Sequence, residues 1–200
     1  MAVKIKKPGV ILLASANLHK IEELRQLLLP FGIILKSTRD FPNGEEVDED
    51  QPTLEGNALK KARYWNSFTG LPSLADDTGL EVEALNGRPG VYSARYAGQK
   101  ATYIDNVEKL LGELENQENR KARFRTIIAF VQGEEEHLFE GACEGEITEN
   151  PKGDQGFGYD PVFRPEGYSE TFAELSAEEK NKISHRGRAV HSFLEFMKND

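Results

Sequence analysis

A chain of 200 residues has room for one domain, or one domain with two lobes, and for a sizeable core. Its net charge of −9, from 34 acidic against 25 basic side chains, argues against a protein that wraps nucleic acid, because that work rests on lysine and arginine neutralising phosphates. A small phosphate ligand stays open, since it needs only a few local cations, a helix N-terminus or a carboxylate-held metal. No apolar run reaches the roughly 18 residues of a membrane span, so no membrane partner is expected. The basic start "MAVKIKKPGVILLASANLHK" lacks the length and cleavage site of a signal peptide and reads as a first strand. The single cysteine, Cys143, leaves no intrachain disulfide and points to a reducing compartment, the cytoplasm.

Val10 to Ala14 is a continuous apolar run, predicting a buried strand that ends at Ser15. Leu18, Ile21, Leu24, Leu27 and Leu28 recur at helical spacing up to the break at Pro30-Phe31-Gly32. Ile33 to Lys36 reads as a second strand, and Phe41 to Pro52 as an exposed acidic loop. Thr53 can cap a helix to about Phe68, with Leu54, Ala58, Ala62 and Trp65 inward. "GLPSLADDTGLEVEALNGRPG" reads as strand, turn at Thr78-Gly79, strand. Thr102 with Asp105 predicts a capping box for a helix carrying Ile104, Val107, Leu110, Leu111 and Leu114. Ala122 to Gln132 and Glu136 to Thr148 read as strands joined by an acidic turn. A Gly-rich loop and a short strand follow, then a second capping box at Ser176 and Glu179, and a last helix from about Ser184 to Lys198. Alternating strands and helices followed by a hairpin predict an α/β protein with a mixed sheet.

Four stretches carry candidate chemistry. "SANLHK", Ser15 to Lys20, leaves a strand and opens a helix, so Asn17 can cap it, neighbouring N–H groups can face an anion, and Lys20 adds positive charge. A capped strand-to-helix turn is the plainer account, and the spacing is not that of a P-loop. Asp76 and Asp77 face opposite sides of a strand, which allows one to enter a site and the other to hold loop backbone or a lysine. A carboxylate at a strand end suits Mg²⁺, while an Asx-turn into Thr78-Gly79 is the alternative. In "GFGYDP", Phe157 and Tyr159 offer faces for a base and Asp160 offers two acceptors, unless the stretch is simply a turn with core aromatics. In "EEKNKISHRGRA", Lys180, Lys182, His185, Arg186 and Arg188 are either a solvated helix face or donors to a carbonyl or phosphate.

In order and spacing, these stretches, with "GNALKKA" and "RPGVYSARYAG", resemble the inosine triphosphate pyrophosphatase family, the XTP/dITP diphosphatases, over about residues 8 to 198. The resemblance implies one ITPase-like domain over residues 1–200, an elongated two-lobed α/β fold with a central mixed twisted sheet flanked by helices, and a cleft between the lobes. It implies Mg²⁺-dependent hydrolysis of ITP, dITP and XTP to monophosphate and pyrophosphate by a homodimer. Carried over by motif, Ser15, Ala16, Asn17, Leu18, His19 and Lys20 form the triphosphate loop, with Ala16 where glycine is usual. Glu49 and Asp77 are the metal ligands, and Asp77 is also the catalytic aspartate. Lys61, or its neighbour Lys60, neutralises phosphate charge, and Thr78 contacts substrate where serine is common. Phe157, Gly158, Tyr159, Asp160, Lys180, His185 and Arg186 bind the nucleotide, and donors from His185 and Arg186 suit a 6-oxo purine. The rivals are a pyrophosphatase for modified pyrimidine nucleotides, an aspartyl-phosphate phosphatase and a nucleotide-binding sensor. The phosphatase pattern fails, because Thr78 and Gly79, not acids, stand two residues after Asp76 and Asp77.

Overall fold

The computed structural model describes residues 9–199, and the basic segment 1–8 lies outside them. The strands are β1 (Val10–Leu13), β2 (Ile34–Ser37), β3 (Ser73–Val82), β4 (Pro89–Gly90), β5 (Lys121–Gln132), β6 (Glu135–Ile147) and β7 (Phe163–Pro165). The helices are α1 (Leu18–Leu28), α2 (Leu54–Thr69), α3 (Tyr103–Glu113), α4 (Ala177–Ile183) and α5 (His185–Asn199). Among the described residues the sheet order is β2-β1-β3-β5-β6-β7, with β4 added to β3. β1 runs parallel to β2 and β3, whereas β3–β4 and β6–β7 are antiparallel, so the sheet is mixed and the fold is α/β.

The chain divides into two compact units. Unit 1 comprises residues 1–77, 127–141 and 187–200, and unit 2 comprises 78–126 and 142–186. In unit 1, Ile11 and Leu13 of β1 pack with Ile21, Leu24 and Leu28 of α1, Phe130 of β5, and Ala189, Val190, Phe193, Leu194 and Met197 of α5. In unit 2, Leu80 and Val82 of β3 pack with Val107 and Leu110 of α3, Phe124, Cys143, Phe163 and Phe172. Each such aliphatic or aromatic side chain contributes about 1.5–3 kcal/mol on burial.

Local signals set the helix ends. Thr53 accepts from the Gly56 N–H at 3.1 Å to start α2, and Gly70 ends it at φ 68°. Both expected capping boxes form, at Thr102 with Asp105 and at Ser176 with Glu179.

The structure corrects two expectations. β3 does not turn at Thr78-Gly79: it continues to Val82, so Asp76 and Asp77 lie within a strand, not at its end or in an Asx-turn. The reason is a partner distant in sequence. Leu80 and Glu81 pair with Gly90 and Pro89, and a Cβ on Gly79 would stand 2.8 Å from the Gly90 carbonyl oxygen. Leu18 and Ile104, at helix starts, are 60% and 69% exposed rather than inward. The acidic loop is largely exposed, as expected, and is tied to α2. Glu45 N–H donates to the Tyr64 hydroxyl at 2.8 Å, Lys60 Nζ binds the Asp48 carbonyl at 2.9 Å and Asp50 Oδ1 at 2.8 Å, and Gly44 lies against the Trp65 ring.

Candidate active site

In unit 1, β1 ends just before the two aspartates. Ala14 N–H donates to the Leu74 carbonyl at 2.7 Å, and then Ser15 N–H turns back to the Leu13 carbonyl at 2.8 Å. β3 runs on past this point, and strand alternation sends Asp76 and Asp77 in opposite directions. Asp76 Oδ2 lies 3.2 Å from Lys20 Nζ. Asp77 Oδ2 accepts from Asn57 Nδ2 at 3.0 Å, and its Oδ1 lies 3.7 Å from Lys61 Nζ. Lys61 also donates to the Asp76 carbonyl at 2.8 Å and to Glu49 Oε1 at 2.5 Å. Of the five loop acids, Glu49 is half-buried, while Glu45, Glu46, Asp48 and Asp50 face solvent.

Three carboxylates, Glu49, Asp76 and Asp77, thus share two lysines in a largely buried setting. Burial pushes the Asp77 carboxyl above its ordinary value; the Lys61 ammonium opposes this, and Glu49 reinforces it. Burial acts the same way on Glu49, but its close contact with Lys61 prevails and lowers it. Lys61 is raised, its three acidic neighbours outweighing the burial that favours the neutral amine. The surplus of buried negative charge suits a divalent cation. Among the described residues, no group of three or more His, Cys, Asp or Glu side chains converges to hold a metal. Glu49 and Asp77 instead offer two carboxylates, the kind of set Mg²⁺ takes alongside phosphate oxygens and waters.

The residues predicted to form the triphosphate loop lie at the start of α1. Asn17 Oδ1 accepts from His19 N–H at 3.0 Å and Lys20 N–H at 3.4 Å, and Ser15 Oγ accepts from Asn17 N–H at 3.2 Å. Ala16, Leu18 and His19 are exposed, while Ser15, Asn17 and Lys20 are partly covered.

Unit 2 brings together the remaining predicted residues. Asp160 Oδ2 accepts from Phe157 N–H at 2.8 Å and from Lys180 Nζ at 2.7 Å, so this oxygen ties the Gly-rich loop to α4. Gly156, at φ 73°, makes the turn possible, since a Cβ there would fall 2.1 Å from that oxygen. The Phe157 ring is half-buried, with Lys180 Nζ 5.3 Å and the Arg186 guanidinium 5.6 Å from its centroid. Gly158 follows at φ 64°. Tyr159 is a core residue; its hydroxyl donates to the Ser93 carbonyl at 2.9 Å, and burial pushes the phenol up. The His185 ring stacks on Phe124, with centroids 4.4 Å apart. Arg186 Nη2 donates to Thr78 Oγ1 at 3.2 Å, and that hydroxyl lies 2.6 Å from the hydroxyl of fully buried Thr126. Lys182 pairs with Glu178 at 2.6 Å on the exposed face of α4.

Asn57 and Thr126 escaped the sequence reading as individual residues. Asn57 could have been found from "GNALKKA", where it precedes Lys61 by one helical turn on the same face. Thr126 leaves no signal in a β-rich strand.

Residues 11–196 match the model of the Ham1 family. A dITP/XTP pyrophosphatase from Flavobacterium psychrophilum is 49% identical over 189 residues, covering 94% of this chain and 99% of its own. The structure of a HAM1 protein from Coxiella burnetii superposes with a TM-score of 0.87 at 39% identity, covering 96% of this chain and 99% of its own. The crystal structure of a nucleoside-triphosphatase, dITP/XTP pyrophosphatase, from Mycobacterium abscessus gives a TM-score of 0.75 at 46% identity, covering 92% and 98%. The resemblance carried by "SANLHK", "LADDTGL" and "GFGYDPVF" is therefore borne out along almost the whole chain: this protein belongs to the Ham1 family.

Proposed function

We propose that this protein is a nucleoside triphosphate pyrophosphatase that hydrolyses ITP, dITP and XTP to the monophosphate and pyrophosphate. The observation that carries the reading is the buried set of Glu49, Asp76 and Asp77 with Lys20 and Lys61. The names of close relatives support the substrate class.

Glu49 and Asp77 would hold a divalent ion, Mg²⁺, which when bound supplies Lewis-acid neutralisation of phosphate charge. Lys20 and Lys61 add positive charge toward the triphosphate bound at Ser15 to Lys20. Asp77 orients the attacking water and takes its proton. The water oxygen bonds to the α-phosphorus, the bond from that phosphorus to the bridging oxygen breaks, and pyrophosphate leaves. These residues act by position and charge in a largely buried setting, where both effects are strong.

Phe157 offers a face to the purine, and His185 and Arg186 donate to its 6-oxo group. An adenine amino group would leave those donors unpaired, which disfavours ATP. A homodimer working in the cytoplasm on small-molecule purine triphosphates, and not on nucleic acid polymers or membranes, completes the reading. Acidic net charge and the presence of a single cysteine, Cys143, support the substrate size and the compartment.

The test is incubation with Mg²⁺ and, separately, ITP, XTP, GTP, ATP and dTTP, with the products identified. Monophosphate plus pyrophosphate from ITP and XTP, with the others slow, is expected. Diphosphate plus phosphate would place attack at the γ-phosphorus and overturn the mechanism. Binding without turnover would make the protein a sensor.

A further inference from the structure

We infer that Asn57 is a positioning residue that sets Glu49 and Asp77 relative to one another. The inference rests on the proposed function. Asn57 is fully buried in the first turns of α2, yet it uses both ends of its amide. Its Oδ1 accepts from the Gln51 N–H at 2.9 Å, and its Nδ2 donates to Asp77 Oδ2 at 3.0 Å. The orientation of the amide follows from its partners, because a flipped group would set donor against donor at Gln51 and acceptor against carboxylate at Asp77.

One side chain thereby joins the loop carrying Glu49, two residues before Gln51, to the strand carrying Asp77. Lys61, one turn further along α2, grips Glu49 Oε1 and approaches Asp77 Oδ1, so each oxygen of Asp77 faces a different residue of the same helix. Gly56 makes the contact possible: a Cβ there would stand 2.8 Å from the Gln51 Cβ, so only glycine lets the loop lie this close to α2. A neutral amide is suited to this role. It orients a carboxylate by its donor without adding the charge that would compete with a cation, which is how groups behind metal ligands act.

The role is tested with Asn57→Leu, which keeps the branched shape though it is bulkier and removes both bonds, and with Asn57→Ser, which is polar but too short to reach both partners. Binding of Mn²⁺ alone is followed by the EPR signal of the free ion, with Asp77→Asn as the site control, and kcat and KM are measured separately on ITP. Both variants are expected to lose Mn²⁺ affinity and kcat by about 10–100-fold, while KM stays within about threefold. Circular dichroism checks that they fold, and Asn57→Ser carries the test if Asn57→Leu does not. A variant that melts earlier but keeps wild-type Mn²⁺ affinity and kcat per folded molecule would make Asn57 a stabilising residue only and overturn the inference. A wild-type protein that neither binds Mn²⁺ nor cleaves ITP would instead overturn the proposed function, and the inference with it.

Discussion

Lys20 Nζ lies 3.2 Å from Asp76 Oδ2, an ion pair in which the acid side chain is 1% exposed and the lysine 18%. The neighbouring acid, Asp77, faces Asn57 and Lys61 instead. Adjacent aspartates therefore have different nearest side-chain partners, and neutralising them should differ in its effect on stability. Asp76→Asn strands a mostly buried ammonium and is expected to cost roughly 3 kcal/mol. Asp77→Asn removes a carboxylate whose ionised form the fold disfavours, so metal-free stability should be unchanged or higher while turnover is lost. Urea denaturation of both variants without metal, beside the ITP assay, checks this pairing. Equal destabilisation by the two would contradict it.

The pH dependence follows from Asp77. Burial raises its carboxyl above 3.8 against the pull of Lys61, with Glu49 adding to the rise. A raised acid weakens the metal-free fold as pH climbs past 3.8 toward the folded-state value, because the unfolded chain ionises first. For catalysis this carboxyl sets the acid limb of kcat/KM, which burial moves up and a bound divalent ion moves down. If a divalent ion competes with the proton at this carboxylate, tenfold more Mg²⁺ moves the limb downward by up to about one pH unit. A limb that ignores Mg²⁺ concentration would separate Asp77 from the metal.

Thr126 gives a test in unit 2. Its hydroxyl lies 2.6 Å from that of Thr78, which accepts from Arg186 at 3.2 Å. Thr126→Val keeps the shape and removes the hydroxyl, leaving Thr78 and Arg186 less firmly held. The expected result is a KM for ITP raised by about three- to tenfold with kcat little changed, in line with loss of roughly 1 kcal/mol of hydrogen bonding. Thr126→Ser should restore it. Unchanged KM in the valine variant would show that Arg186 is held by other contacts.

Gly44 is a more remote handle on the site. A Cβ there would fall 2.1 Å from the Trp65 ring, so Gly44→Ala must shift the loop that bears Glu49 or displace the indole. Such overpacking costs about 1–3 kcal/mol. Turnover of ITP should fall more steeply than the melting temperature predicts, a comparison that differential scanning calorimetry and the product assay make together.

Much of the fold was readable locally, because caps and periodicity act within one turn. Thr53, Thr102 with Asp105, and Ser176 with Glu179 start their helices as expected, and α5 buries Ala189, Val190, Phe193, Leu194 and Met197 as its spacing requires. The expected turn at Thr78-Gly79 failed because Gly79 makes room for the Gly90 carbonyl, a contact eleven positions away that no local pattern displays. Leu18 and Ile104 fit the helical period, but periodicity does not say which end of a helix is covered. At the site the charged residues were legible by type and motif. Their pairing was not, since Lys61 meets acids from two other segments, and a buried asparagine such as Asn57 looks in sequence like any polar helix residue.

Neither unit is a contiguous stretch of chain. The backbone passes from one to the other at Asp77–Thr78, Thr126–Ile127, Gly141–Ala142 and Arg186–Gly187. No single cut or terminal truncation therefore isolates either unit, and β3, β5 and β6 would each be severed by a swap of domains between homologues. Recombination offers this protein no simple exchange of one unit for another. Change in either unit has to arise by point substitution within a single chain, in which Asp77 of unit 1 is joined to Thr78 of unit 2 by one peptide bond.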